Sequence, residues 1–269
     1  MAAHTPLTFE TPGSPPAGAQ SVSRVLRLLK CVGAAPVHGA ALGDLARDAG
    51  LTQPTAHRML AALQHEGFVS QHPELKTYTL GREAYILGLA AERRHGIKMI
   101  AEAGLQRIAT QTGDTVFLSI RSGDEAVCVD RKTGDFPIKI LTLDIGHRRP
   151  LGVGAGSLAL MAFLPDQVID DILQRYEAKP NALYPSAAVI RQDIAATRRN
   201  GYALNPGRII EEMVGVGVPV MDSRKGVYAA LSVAAIRSRL TGSALQTVLH
   251  TLKSEAANLQ RELMKTTSP

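Results

Sequence analysis

Cysteine is scarce. The chain of 269 residues has two, Cys31 and Cys128, far apart and without a CxxC spacing. That excludes a disulfide framework and a cysteine zinc site, and it fits a reducing cytoplasm. No basic n-region precedes an apolar h-region at the N-terminus, so no secretory signal is expected. No uninterrupted apolar run approaches the length of about 18 residues that a membrane span needs. The signatures of common enzymes are missing too. "GVGAGS" at 152–157 is glycine-rich, but it fits neither GxxxxGKS/T nor GxGxxG and has no lysine for phosphates. It reads as glycines where a helix start packs closely on a sheet or a ligand. Ser157 is outside a GxSxG context, so a nucleophile elbow is disfavoured. The eight histidines are scattered, with no HExxH and no paired spacing. Neither a metal nor a cofactor is expected.

What is present is a sizeable core and an excess of positive charge. Hydrophobic residues make up 45% and charged residues 20%, and the formal charge is +6. The isoelectric point near 9.5 favours an anionic partner. Residues 1–20, rich in Pro, Gly, Ala and Thr, bury little apolar surface and are expected to be a disordered arm. From Ser21, a plausible N-cap, the residues Val22, Val25, Leu26, Leu29 and Val32 fall at helical spacing. Gly33 and Pro36 stop that helix. Leu42, Leu45, Ala46 and Ala49 make a second, ended by Gly50. Thr52 can cap a third, with Pro54 in its first turn and Ala56, Met59, Leu60 and Leu63 as its buried stripe. Gly67 ends it. Strand-like pieces at 68–71 and 77–80 flank the turn "HPEL". Three helices and a hairpin describe a winged helix-turn-helix. A further helix over 82–95, with Ala84, Leu87, Gly88 and Ala91 along one side, reads as a linker that packs against a neighbour.

The second half alternates differently. Strand candidates lie at 115–121, 125–130, 137–143, 201–204, 214–220 and 227–236, several rich in β-branched residues. Helical patterns fill 155–163, 166–176 and 186–199, and a last helix carries Leu245, Val248, Leu249, Leu252, Leu259 and Leu263. Strands in a block flanked by helices argue an α+β fold with a largely antiparallel sheet.

In a helix-turn-helix the second helix enters the major groove and its N-terminal residues touch base edges. The buried stripe leaves Gln53, Thr55, His57 and Arg58 facing out. Gln suits adenine, Arg suits guanine, and Thr suits a thymine methyl or a phosphate. The helix N-terminus favours phosphate, and Lys76 stands in the candidate wing. Six Lys/Arg against four Asp/Glu between 21 and 80 give only +2, so charge does not decide between a DNA-reading face and a solvated one. In the second half, His147, Arg148 and Arg149 of "GHRRP" form a basic cluster, either an anion clamp or a solvated turn. Asp130, Arg131 and Lys132 read as a strand end reaching water.

Six stretches, taken in order, are recognisable. "SVSRVLRLLKCV", "LGDLARDAGLTQPTAHRMLAALQHEGFV" and "YTLG" resemble the N-terminal domain of IclR-family transcriptional regulators. "GHRRPLGVGAGSLALMAFLP", "RRNGYALNPGRIIEEMVGVGVPV" and "YAALSVAAIRSRLT" resemble that family's effector-binding domain. The resemblance implies a winged helix-turn-helix at 21–81, a linker helix at 82–96 and, at 97–269, a GAF-like effector domain with a six-stranded, mainly antiparallel sheet. It implies a homodimer or homotetramer on a near-palindromic double-stranded DNA operator, read through Thr52, Gln53, Thr55, His57, Arg58 and Lys76. It also implies a small-molecule effector on the concave face of the sheet. Ile138 and Leu141 match the apolar wall there, and Ala155 and Gly156 match the helix start. Of the family's polar anchors, an aspartate position holds Asn205, a cysteine position holds Gly215, one serine is kept as Ser232 and another becomes Ala234; the alternatives are a bulge at Gly215 and, for Asn205, a cap on the turn before Pro206. The cavity implied is roomier and less polar, suited to a larger organic acid or an aromatic compound. The competing reading is a stand-alone sensor or metabolic enzyme with an incidental basic domain. Repressor and activator use the same parts.

Overall fold

The computed structural model describes residues 18–178, 185–222 and 226–266, and the chain divides into two compact units, 1–96 and 97–269. The arm expected over 1–20 lies outside the described residues up to 17.

In the first unit, α1 (Gln20–Gly33), α2 (Leu42–Asp48) and α3 (Gln53–His65) surround a core of Leu28, Cys31, Leu45, Ala46, Ala56, Leu60 and Val69. Ser21 is not the N-cap of α1. The Ser23 amide already donates to the Ala19 carbonyl at 3.0 Å, so the helix starts earlier and Ser21 sits in its first turn. The buried face is also rotated from the expected stripe. Leu28, Cys31 and Val32 are buried, while Val22 and Leu26 are 58% and 52% exposed. Gly50 and Gly67 take φ of 66° and 74°, the left-handed backbone that closes α2 and α3. The hairpin pairs β1 (Val69–Gln71) with β2 (Tyr78–Leu80), and a reciprocal bridge between Ala40 and Tyr78 ties it to the turn after α1. The result is a winged helix-turn-helix. It continues into α4 (Arg82–His95), which leaves Tyr85, Ile86, Leu87 and Leu89 exposed.

The second unit is built on one sheet of six strands in the order β5-β4-β3-β8-β7-β6, every neighbouring pair antiparallel. These are β3 (Thr115–Ser122), β4 (Glu125–Thr133), β5 (Arg148–Pro150), β6 (Ala203–Asn205), β7 (Met213–Met221) and β8 (Val227–Ile236). Alternation along β7 explains the layering. Val214, Val216, Val218 and Val220 enter the core shared with α5 (Ile97–Thr112) and α9 (Gly242–Thr266). The intervening Gly215 and Gly217 turn to the opposite face. There α6 (Ala155–Ala162), α7 (Asp166–Ala178) and α8 (Ala187–Asn200) supply a second core around Leu158, Leu160, Ile172 and Ile190. The sheet helix α6 lies so close that a Cβ on Gly217 would stand 2.6 Å from the Ala155 carbonyl oxygen. Glycine is there for the approach of backbone to backbone.

One strand was misplaced by the sequence. The stretch 137–143 is not a strand, although "PIKILTL" alternates like one. The first half of the β4 edge is taken instead by residues 146–150: Ala126 pairs with Arg149 and Val127 with Arg148, and Cys128 hydrogen-bonds to Gly146 and His147. The strand expected at 201–204 is the short edge β6 at Ala203–Asn205.

Candidate functional sites

The exposed front of α3 is set by what its other side buries. Ala56, Leu60 and Leu63 seat the helix, which turns Gln53, His57 and Arg58 to solvent and leaves Thr55 half-buried. Thr52 stands at the N-cap, but its hydroxyl donates to Thr55 Oγ1 at 2.9 Å and caps no backbone amide. The first-turn N–H groups therefore have no side-chain acceptor, which suits an external oxygen such as a phosphate. Lys76 occupies the hairpin turn with φ 54°, the one non-glycine residue in the left-handed region among those described. Its amide donates to the His72 carbonyl at 3.0 Å, and the His72 ring accepts from the Glu74 and Leu75 amides at 3.3 and 3.2 Å. The turn thus presents an exposed ammonium from a fixed backbone. Among the described residues neither Arg58 nor Lys76 makes a salt bridge, whereas Arg47 is paired with Asp44.

In the second unit a pocket of about 560 Å³, its solvent-filled mouth included, opens on the α6 face of the sheet. The ladder aligns three of its positions in one row: Asn205 on β6 opposite Gly215 on β7, opposite Ala234 on β8. The next row brings Ser232, and the start of α6 contributes Gly154 to Ser157. Phe117, Leu143, Ile209, Ile210 and Met213 make the pocket predominantly apolar. Six of the eight residues matched to an effector site thus come together here: Ala155, Gly156, Asn205, Gly215, Ser232 and Ala234. Ile138 and Leu141 do not. Each is 54% exposed and absent from the wall, because their segment is not a sheet strand; Thr142 and Leu143 reach the pocket instead.

Local bonding changes what some of these residues can do. The Asn205 side chain donates to the Val153 carbonyl at 3.1 Å and accepts from the Gly207 and Arg208 amides at 3.1 and 2.9 Å. It ties the turn after β6 to the loop before α6, with little capacity left for a ligand. Ser157 is likewise turned inward, its hydroxyl accepting from the Gly154 amide and donating to the Gly154 carbonyl. Ser232 is buried with its hydroxyl beside Gly156, where a Cβ would lie 2.9 Å from it. Ser119, also buried, faces the same glycine.

Sequence reasoning held His147, Arg148 and Arg149 together as one basic cluster, an anion clamp or a solvated turn, but strand alternation parts the two arginines. Arg148 bonds Glu125 at 2.7 Å and the Ser122 hydroxyl at 2.8 Å. Arg149 turns into the pocket, donates to the Thr142 carbonyl at 3.0 Å and lies against Gly154. Burial draws its guanidinium down to about 10. Reading 148–150 as an edge strand would have found it. The nearby Cys128 thiol is buried and pushed up to about 11, so it stays neutral and uncharged at physiological pH. Among the described residues no group of His, Cys, Asp and Glu is arranged to hold a metal ion, and no helix is long and apolar enough to cross a membrane.

Residues 89–261 match the family profile described as bacterial transcriptional regulator IclR, C-terminal, and residues 21–73 match the IclR helix-turn-helix domain. The chain is 27% identical over 227 residues to the transcriptional repressor IclR of Escherichia coli K12, covering 82% of each protein. A crystal structure from Silicibacter sp. TM1040, described as an IclR transcriptional regulator, superposes with a TM-score of 0.80 at 27% identity, over 90% of this chain and 96% of that one. An IclR homologue from Microbacterium hydrocarbonoxydans, solved with 4-hydroxybenzoate, shares the fold at TM-score 0.70 and 21% identity, over 91% and 99% of the two chains.

Proposed function

The chain belongs to the IclR family of transcriptional regulators, and from that membership we propose that it binds an operator through α3 and the wing and adjusts its affinity to a small organic acid or aromatic metabolite held in the sheet pocket. Gln53 and Arg58 read base edges, Thr52, Thr55 and His57 flank them, and Lys76 meets the phosphate backbone. The arm 1–20, the winged helix at 21–81, the linker helix at 82–96 and the effector domain at 97–269 divide the work. The regulator acts in the cytoplasm, without catalysis, as a homodimer or homotetramer on a near-palindromic site. The exposed apolar side chains of α4 support self-association. The Microbacterium homologue's ligand supports an aromatic acid as one candidate effector.

The observation that carries this reading is the cation pair left unneutralised on α3 and the wing, in a chain that also holds an apolar pocket with a few placed polar groups. A gel shift with the DNA upstream of its own gene tests it. The expected result is a discrete complex that survives excess non-specific DNA and shifts in affinity with an effector. Equal binding to both DNAs, or turnover of a bound metabolite, would favour a sensor or enzyme instead.

A further inference from the structure

Among the described residues Arg149 is the one charged residue in the pocket wall, and no carboxylate lines that wall with it. Its guanidinium offers five donors. Among the described residues its one side-chain hydrogen bond is to the Thr142 carbonyl. The residue directly across the ladder is Ala126, and the acid within reach of this strand, Glu125, is taken by Arg148. The titratable group that bears on Arg149 is the Cys128 thiol, which burial keeps neutral and which therefore supplies no counterion. A half-buried cation without a counterion is costly unless something supplies one. The start of α6, against which the guanidinium lies at Gly154, adds first-turn amides without intrahelical acceptors on the same side of the cavity.

We propose that Arg149 is the anion anchor of this cavity, and that its ligands are monocarboxylates with an apolar body. The planar fork matches a carboxylate in a two-point contact. The body lies among Phe117, Ile209, Ile210 and Met213, and the Ser119 and Ser232 hydroxyls meet any polar substituent. One cation and an otherwise apolar wall suit a single negative charge; a phosphate dianion would leave charge uncompensated. This rests on the reading of the pocket as the effector site. It adds what chemical group the effector must carry and which side chain selects it.

The test uses the full chain and matched acid and amide pairs: benzoate with benzamide, phenylacetate with phenylacetamide, hexanoate with hexanamide, and inorganic phosphate alongside. Melting shifts and titration calorimetry are recorded for wild type, Arg149→Met, Arg149→Lys and Gly215→Val. At least one acid should bind wild type far better than its amide. Arg149→Met should lose about 10- to 100-fold for that acid, Arg149→Lys should recover part of it, and neither should melt lower without ligand. Acids that bind Arg149→Met as well as wild type, amides that match their acids, phosphate that outbinds them, or a panel in which no acid binds would each overturn the anchor. Gly215→Val separates the two levels. If it abolishes binding while Arg149→Met does not, the pocket stands and the anchor falls. If it leaves acid binding intact, the effector site is elsewhere.

Discussion

The two units place their unpaired positive charge differently. In the C-terminal unit Arg107, Arg131, Arg148, Arg175, Arg191, Arg208 and Arg239 each reach a carboxylate. In the N-terminal unit Arg58 and Lys76 stand in solvent with none among the described residues. Free cations on a helix front and a hairpin turn suit a polyanion, which each of them meets weakly and in sum, by counterion release. Pairing on the other unit weakens that attraction, and Arg149 is the arginine turned into the interior of the pocket. A cation on the surface is satisfied by water and by any anion. A cation in a cavity is satisfied only by an anion that fits. The same residue type thus serves non-selective attraction in one unit and selection in the other.

The largest expected effect breaks the C-terminal side of this contrast. Gly217→Val would set a Cβ 2.6 Å from the Ala155 oxygen and 2.8 Å from its carbonyl carbon. Backbone cannot yield as a side-chain tip does, so α6 must leave the sheet and the pocket with it. We expect a loss of about 1–3 kcal/mol or more in unfolding experiments, with effector response abolished. The neighbouring Gly215→Val meets the Ala155 methyl at 3.3 Å and should cost less. Equal melting of the Gly217 variant and wild type would show that α6 does not seat as described.

Next is Arg58→Ala, which acts on the N-terminal side. It should cost about 1–3 kcal/mol at the specific operator and relax preference at one base pair. Quantitative footprinting on operator variants checks it. A uniform loss across all variants would make Arg58 a phosphate contact, and no loss would remove α3 as the reading helix.

These two predictions differ in how far the sequence alone reached them. The helices of the first unit were legible because each pairs a period of 3.6 with a terminator: Gly50, Gly67 and Pro36 stand where the stripes end. Strands β3, β4, β7 and β8 were legible from long β-branched alternation. What failed were short or tertiary features. Three residues, Arg148–Pro150, carry too little periodicity to outweigh the seven-residue mimic at 137–143, and it is their pairing with Glu125, Ala126 and Val127 of β4 that decides between them. For that reason Arg149, named with His147 and Arg148 as an anion clamp or a solvated turn, was not separated from Arg148. Asn205 was legible as a ligand position or as the cap of the turn before Pro206, and its bonds to the Gly207 and Arg208 amides are that cap; its bond to Val153 was not legible, since that partner is far away in sequence. The start of α1 shifted because Ala19 can begin a helix by its carbonyl alone.

Asn205 gives the next test, and its expected sign has changed with the geometry. Asn205→Ala removes bonds to Val153, Gly207 and Arg208. It should lower stability by about 1–3 kcal/mol, because buried partners are left unsatisfied, and should weaken the effector only through the loosened turn. Ser232→Ala should do the reverse: a small change in melting, and about 0.5–1.5 kcal/mol lost in affinity for a ligand that hydrogen-bonds to it. Chemical denaturation and calorimetry on both variants sort the roles. Equal stability with a large affinity loss for Asn205→Ala would return it to the ligand.

The smallest effect concerns Lys76, where charge and conformation must be separated. At φ 54° an ordinary side chain pays a steric penalty that Gly and Asn largely avoid. Lys76→Ala would remove the ammonium while keeping the strain, so a weaker complex would have one clear cause. Lys76→Asn removes the ammonium and relieves the strain together. If Lys76 acts as a phosphate contact, both should lower the slope of log affinity against log salt by about one unit, and both should do so equally on specific and non-specific DNA. Their stabilities should differ, with Lys76→Asn at or above wild type, because the hairpin turn depends on the backbone bond from Lys76 to His72 and not on the side chain. Titrations at several salt concentrations, run beside melting curves, read both quantities. A slope that stays at the wild-type value in Lys76→Asn would show that the wing does not touch the phosphate backbone, and that the free cations of this unit work through α3 alone.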